Sequence, residues 1–263
     1  MRQAESTRPA GGSEPRLAKI AAMIADPARS RMLSYLLDGH YASASELAKA
    51  AGVSASTASG HLGKMVETGL LVREQRGRHR YFRLADAEVA HTLEALALLA
   101  ERATHERNWS DPGMVPLRYA RRCYGHLAGE LGVLVFNWLI RERALEMTGA
   151  GTYGYRAAGE AAFASIGFDP GVVKRDGRLA YPCLDWSERR DHLAGNLATA
   201  LLNHFIAMRW LTDARTASSN DSSVLPLQRQ SHRCLALTAT GRTELLPILL
   251  APVLGKEDFP DGH

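Results

Sequence analysis

Twelve residues, REQRGRHRYFRL from Arg73 to Leu84, hold five arginines and one acid, Glu74. Guanidinium groups at that density repel one another unless an anion lies against them. A polyanion with regularly spaced phosphates is the partner they suit. A second set carries different chemistry. Cys123 and His126 stand three positions apart, and Cys183 and His192 lie farther along. Thiolate and imidazole are soft or borderline ligands that suit zinc. The step from Cys183 to His192 is not a short chelating spacing, however, and a buried cysteine is commonly a small hydrophobe. A third set is aromatic and cationic: Arg121, Arg122, Tyr124 and His126 in RYARRCYGH, then Tyr181, Trp186 and His192 in YPCLDWSERRDH. Aromatic walls with a few polar groups and an arginine make a pocket for an aromatic or anionic ligand. The pattern favours a small organic effector over zinc and fixes no cofactor. Metal ligation by Cys123, His126, Cys183 and His192 stays open, as does a core that simply uses these rings as filling.

These groups need elements to hold them. RLAKIAAMIA, from Arg16, reads as a short amphipathic helix. Asp26-Pro27 offers an N-cap followed by proline at the first helical position. The next helix, ARSRMLSYLLDG, sets Met32, Leu33, Leu36 and Leu37 on one face and stops at Gly39. Ser43-Ala44-Ser45-Glu46 is a capping-box pattern opening a third helix with Leu47 and Ala51. After Gly52, Ser54 caps a fourth, SASTASGHLGKMVETG, whose Ala58, Leu62, Met65 and Val66 form a buried stripe. Its other side offers Ser54, Ser56, Thr57, Ser59, His61 and Lys64, with Gly60 and Gly63 between them. Two short helices across a tight turn form a helix-turn-helix, whose second helix enters the DNA major groove. LLVREQRGRHRYFRL then reads as a hairpin, or wing, turning at Arg76-Gly77. A narrow hairpin cannot bury Arg73, Arg76, Arg78 and Arg80 in one core. With His79, they are expected to face DNA.

DPARSRMLSYLL, ELAKAAGVSASTASGHLGKMVETGLLV and GRHRYFRL resemble the arsenical-resistance repressor (ArsR/SmtB) family of winged helix-turn-helix transcriptional regulators, over about the first 100 residues. The resemblance implies a homodimer that binds double-stranded operator DNA and changes its grip when an effector binds. It also implies a dimerisation helix, which DAEVAHTLEALALLAERATHER fits, with Asp86 as cap and Val89, Leu93, Leu96 and Ala100 in register. Two departures matter. SASELAKA lacks the cysteines that many members carry as metal ligands ahead of the recognition helix. Asp86, His91 and Glu94 do not reproduce the zinc set that others carry on the last helix. The resemblance therefore does not make this chain a metal sensor.

Beyond a polar joint, NWSDPG, a long helix is expected over LRYARRCYGHLAGELGVLVFNWLIRERAL, with Cys123 and His126 on one face. Part of this sequence returns. HLAGELGVLVFNWLIRER from His126 aligns without a gap on HLAGNLATALLNHFIAMRW from His192, sharing His126/His192, Gly129/Gly195, Asn137/Asn203 and Arg143/Arg209. YGYRAAGEAAFASIG and LALTATGRTELLPIL also match, and the second copy carries an extra polar loop, TASSNDSSVLPLQRQ. This reads as an internal duplication packed about a pseudo-twofold axis. The cysteines fall at non-equivalent places in the two copies. Phe136, Trp138, Phe205 and Trp210 sit at apolar helical positions and belong to the core.

The expected architecture is mostly α with small β-hairpins. A disordered leader covers 1–15, a winged helix-turn-helix DNA-binding and dimerisation domain 16–106, and an α-rich sensing domain 107–263, with repeats at about 117–168 and 183–250. A length of 263 residues accommodates these domains. The net charge of +4 decides little, because clustering outweighs the sum. Three scattered cysteines make no disulfide framework and suit a reducing cytoplasm. Neither a signal peptide nor a membrane-spanning run is expected. GxSxG, HExxH, CxxC and a phosphate loop are all missing, and Asp185 and Glu188 fit a helix N-terminus, so an enzyme is not expected. The function read from these features is a DNA-binding regulator, a homodimeric repressor modulated by an effector at its C-terminal domain. The alternative is a constitutive DNA-binding or architectural protein whose second half only supports the dimer.

Overall fold

The structure, a computed structural model, describes residues 16–77, 79–103, 115–149, 151–174, 177–214 and 233–252. The expected leader over 1–15, the joint NWSDPG, the polar loop over 216–230 and Arg78 lie outside the described residues. The chain divides into two compact units. The first takes 16–36 and 41–85, the second 37–40 and everything from Asp86 onward.

The first unit opens with helices α1 (Arg16–Ala25) and α2 (Pro27–Tyr35). Asp26 caps α2 by accepting from the Ala28 and Arg29 amides, with Pro27 placed where no amide is missed. A two-residue strand β1 (Ala42–Ser43) leads into α3 (Ala44–Ala51). Its capping box is complete: Ser43 accepts from the Glu46 amide while Glu46 accepts from the Ser43 amide. Gly52 ends α3 in the left-handed region at φ 69°, and Ser54 caps α4 (Ala55–Glu67) through the Thr57 amide. Ala58, Leu62 and Met65 of α4 are buried with Met32, Leu33, Leu36 and Leu47, the stripes the sequence set aside for the core. Strands β2 (Leu71–Arg76) and β3 (His79–Leu84) make the wing, and β1 joins the edge of β3. Pairing runs to Arg76↔His79, which keeps Arg76 in the strand and starts the turn at Gly77, one residue later than the sequence suggests.

The second unit begins with α5 (Ala87–Ala103), capped by Asp86 through the Val89 amide. The sequence placed this helix with the DNA-binding domain. Its Ala90, Leu93 and Glu94 are instead buried in the second unit, which moves the division back to 85/86. A short helix α6 (Val115–Tyr119) precedes a hairpin, β4 (Arg121–Cys123) and β5 (His126–Ala128). Then follow α7 (Glu130–Arg141), the hairpin β6 (Leu145–Gly149) and β7 (Thr152–Tyr155), and α8 (Glu160–Ser165). A further hairpin, β8 (Tyr181–Leu184) and β9 (Asp191–Ala194), leads into α9 (Asn196–Ala207). Strand β10 (Leu211–Asp213) pairs with β11 (Leu235–Leu237), and α10 (Ala239–Leu250) closes the unit.

The expected long helix is therefore wrong at its start. Tyr124 and Gly125 both take positive φ, 47° and 91°, which suits a two-residue hairpin turn and no helix. At Gly129 (φ 83°, ψ −170°) the backbone adopts a conformation essentially reserved for glycine, and a Cβ there would meet the Arg118 carbonyl at 2.3 Å. Helix begins only after it. Gly195 does the same before α9, at φ 98° and ψ −173°.

The stretches 121–165 and 181–250 thus use one order of elements: hairpin, helix, paired strands, helix. The aligned Arg143 and Arg209 both close their helices in the left-handed region, at φ 54° and 58°. Packing is crossed, α7 lying on β9 and α9 on β5. Phe136, Trp138, Phe205 and Trp210 fill the core between, as expected, although Trp210 lies just past the end of α9. Full burial of a side chain of that size is worth about 1.5–3 kcal/mol.

Candidate nucleic-acid interface and candidate metal centre

In the first unit, α4 turns Ser56, Thr57, Ser59 and Lys64 to solvent. A Cβ added at Gly60 or Gly63 would meet nothing within 4 Å, so no packing demand explains either glycine. The Ser54 hydroxyl is occupied by the cap and lies 2.8 Å from the Thr57 hydroxyl. His61 differs from expectation. It is partly buried, with Nδ1 3.2 Å from Arg29 and Nε2 4.0 Å from Asp26, so it braces α2 rather than standing clear on the helix face. On the wing, Arg73, His79 and Arg80 are exposed. Arg76 is exposed but engaged: its Nε donates to Glu74 at 2.8 Å and its guanidinium lies 5.1 Å from the Tyr41 ring centroid. The Arg76 contact holds the Glu74 carboxyl below its ordinary range.

In the second unit, Cys123, His126, Cys183 and His192 converge. Each offers one ligand atom, all within 4.8 Å of one another, and all four side chains are buried. Two hairpins bring them together. Cys123 stands opposite His126 across β4 and β5, and Cys183 opposite His192 across β8 and β9. Directly opposed residues share one sheet face, which is why a cysteine and a histidine meet in each hairpin. The cysteines are thus equivalent in register, contrary to the sequence reading. The first hairpin turns in Tyr124-Gly125, whereas the second loops from Asp185 to Arg190, and that difference in loop length hid the match.

Asp185 is the hub behind this cluster. Its carboxylate accepts from the Gly129 amide at 2.7 Å, the Ser187 hydroxyl at 2.7 Å and the Ser187 and Glu188 amides at 2.9 and 3.2 Å. Arg121 approaches it to 3.0 Å and His192 Nδ1 to 3.2 Å. Burial alone would raise the Asp185 carboxyl, but His192 and Arg121 outweigh burial and hold it well below the carboxylate range. Burial would likewise lower His192, but Asp185 and Cys123 reverse this and push it up to about 9. Burial, followed by the neighbouring His192 and His91, drives His126 well below the ordinary histidine value. Contact with Cys183 and burial raise the Cys123 thiol. Arg121, fully buried, also reaches Glu94 of α5 at 3.8 Å, and Glu94 in turn pairs with Arg233. His91 of α5 lies 3.4 Å from the Tyr181 hydroxyl, and its ring is 6.2 Å from that of His126.

Residues 24–74 match the model of a helix-turn-helix domain family. Over 199 residues the chain is 37% identical to the HTH-type transcriptional regulator YdfF of Bacillus subtilis, spanning 75% of this chain and 87% of that one. The chain belongs to the HTH-type transcriptional regulators. The matched residues are those of the helix-turn-helix on which the ArsR resemblance of the sequence rests. A shorter match, 37% over 83 residues, joins this regulator to CmtR of Mycobacterium bovis, covering 32% of this chain and 70% of that one. Among solved structures, the homodimeric winged helix-turn-helix domain of Mb0332 from Mycobacterium bovis is 26% identical, covers 35% of this chain and 86% of that one, and has a TM-score of 0.32. The cadmium metal-sensor CMTR of Mycobacterium tuberculosis is 37% identical, covers 30% and 81%, and has a TM-score of 0.27.

Among the described residues, the aromatic and cationic groups expected to line an organic-effector pocket are packed against other neighbours of the regulator. Arg121 is committed to Asp185 and lies 4.6 Å from the Trp186 ring centroid, which is itself buried. Arg122 pairs with Asp213, and Tyr124 forms the turn of the first hairpin. Tyr181 is covered by Arg178, 3.7 Å from its ring centroid. A cleft between α7 and α9 is lined by apolar side chains such as Leu127, Leu193, Leu201 and Phe205, without any of these polar groups. Asp185, Glu94, Ser187 and Arg233 were missed as site residues. Asp185 caps no helix of its own; it closes a turn and receives the first amide before α7. The twin Cys↔His registers were the signal that could have found them. Among the described residues, no helix is long and apolar enough to cross a membrane.

Proposed function

We propose that this regulator is a homodimeric repressor. In this reading α4 enters the major groove, the wing holds the DNA backbone, and the second unit receives the signal. One observation carries it: a capped helix whose exposed face is Ser56, Thr57, Ser59 and Lys64 around two open glycines, followed in the chain by a ribbon bearing exposed Arg73, His79 and Arg80. Such a face lies close to the bases but reads them weakly, since a serine suits several base edges. Phosphate contacts then supply most of the affinity. Leu96 and Leu99, 40% and 56% exposed on α5, support a second copy covering that helix. The shared order of elements and the shared Cys↔His register support descent of the second unit from a duplicated piece. An organic effector has little support, because Arg121, Arg122 and Tyr181, which would line its pocket, are engaged by Asp185, Asp213 and Arg178.

The test is selection of duplexes from a random-sequence library by the purified chain. An inverted repeat with half-sites about one helical turn apart is the expected outcome. Sedimentation should give two chains per particle, and Leu96→Glu with Leu99→Glu should give one. Failure to enrich any sequence, or a stable monomer bound to a single half-site, sinks the reading.

A further inference from the structure

We infer that Cys123, His126, Cys183 and His192 form a closed, four-ligand site for a borderline divalent metal ion, zinc being the type. The effect of this site on DNA rests on the reading of the second unit as the signal input. The site itself does not.

Four independent features converge. The first is distance. Ligand atoms around a tetrahedral zinc stand roughly 3.3–3.8 Å apart, given bonds of about 2.0–2.3 Å. The four atoms here already lie within 4.8 Å of one another, so side-chain adjustments of about an ångström complete the shell. The second is an unmet demand. Both ring nitrogens of His126 are buried without a hydrogen-bond partner among the described residues. Apolar packing accounts for two buried thiols but not for an imidazole left unsatisfied, which is costly and rare. The third is placement. The Asp185 carboxylate lies 3.2 Å from His192 Nδ1, and both His192 ring nitrogens, like those of His126, are buried without a hydrogen-bond partner among the described residues. An ion taken by Nε2 would complete the carboxylate–histidine–metal arrangement found behind metal ligands. Asp185 is itself fixed by Arg121 and three backbone amides, so the ring is set before the ion arrives. The fourth is charge. Two thiolates and two neutral imidazoles cancel a 2+ ion, so the filled site buries no net charge. The thiol protons, and any on His192 Nε2, leave to solvent.

Ligand type decides the class. Thiolate and imidazole select zinc or a similar borderline ion over magnesium or calcium, which need oxygen. Four protein ligands leave no open position for a substrate, so the role is structural or sensory. A path to α5 is built in. From His192 the contacts run through Asp185 and Arg121 to Glu94, and His91 on the same helix faces His126. In the chain, α5 starts three residues after the wing strand β3 ends.

The experiment titrates Co2+ into the full chain stripped with chelator under reducing conditions. Uptake of one Co2+ per chain is expected, with the strong visible bands of a tetrahedral ion and a thiolate-to-cobalt charge-transfer band, all displaced by Zn2+. Cys123→Ser with Cys183→Ser should remove the charge-transfer band. Asp185→Asn should keep it while weakening affinity about 10–100-fold. Absence of stoichiometric uptake by the wild-type chain, or an unchanged band in the double serine variant, overturns the site. A second arm compares zinc-loaded and stripped protein on the selected duplex. A change of about 5–150-fold in Kd is the expected coupling. Stoichiometric metal with unchanged DNA affinity leaves the site standing and overturns the signal-input reading. DNA binding lost in both forms strikes the repressor proposal alone.

Discussion

At the scale of single residues, the second unit depends on Arg121. Its guanidinium is fully buried between Asp185 and Glu94 and lies against Trp186. Removing one member of a buried ion group leaves the others charged without compensation. Arg121→Met should therefore cost about 3–5 kcal/mol in urea unfolding, and Arg121→Lys should recover only part, because an ammonium cannot reproduce the planar fork. A loss under 1 kcal/mol for the methionine variant would mean that water reaches these carboxylates. The sequence displayed the right residue types here but not their company. Cys123, His126, Cys183 and His192 could be named as a set, yet Asp185 looked like a cap and Glu94 like part of an incomplete zinc set with Asp86 and His91. Arg121 likewise finds Ser187 66 positions along the chain, a separation that periodicity cannot bridge.

At the scale of elements, caps and turns were the legible part. The Asp26, Ser43 and Ser54 caps and the wing all form where local chemistry places them. The start of α7 was misread because Leu127 and Leu131 continue a helical spacing backwards into a hairpin. The decisive signals were Tyr124-Gly125 and Gly129, which demand backbone shapes a helix excludes. Glycine also supports a prediction on α4. Gly60 and Gly63 face open space, so alanine at either should stabilise α4 by about 1 kcal/mol. The same methyl groups should weaken operator binding if the duplex approaches that surface closely. Urea unfolding and fluorescence anisotropy on the same variants separate the two effects. Greater stability with unaltered affinity would show that the glycines serve no approach to DNA.

At the scale of the whole molecule, a net charge of +4 conceals a local concentration of cations on the wing. Operator affinity should fall steeply with salt, because each phosphate neutralised releases a condensed counterion. Arg73→Ala and Arg80→Ala should each reduce the magnitude of the log–log salt slope by about 1. Arg76→Ala should change it less, since Glu74 and Tyr41 already hold that guanidinium. Equal effects at all three positions would mean that Arg76 leaves Glu74 when DNA arrives. The sequence places the domain boundary at 106/107, whereas the two compact units divide at 85/86. Helix α5 has one face buried with Arg121 and Arg233 and another with Leu96 and Leu99 exposed, and its sequence pattern advertised only the apolar residues.

Arg143 and Arg209 sit exposed at the ends of α7 and α9 with φ at 54° and 58°. That conformation costs a residue bearing a Cβ about 1–2 kcal/mol, a penalty glycine escapes. Glycine at either position keeps every backbone hydrogen bond and gives up only a solvent-facing chain. The pair is thus a ready means of hardening the protein against heat, and both positions belong to the second unit, outside the segment assigned to DNA. Arg143→Gly and Arg209→Gly should each raise the melting temperature, and a calorimetric scan of the single and double replacements would show whether the gains add.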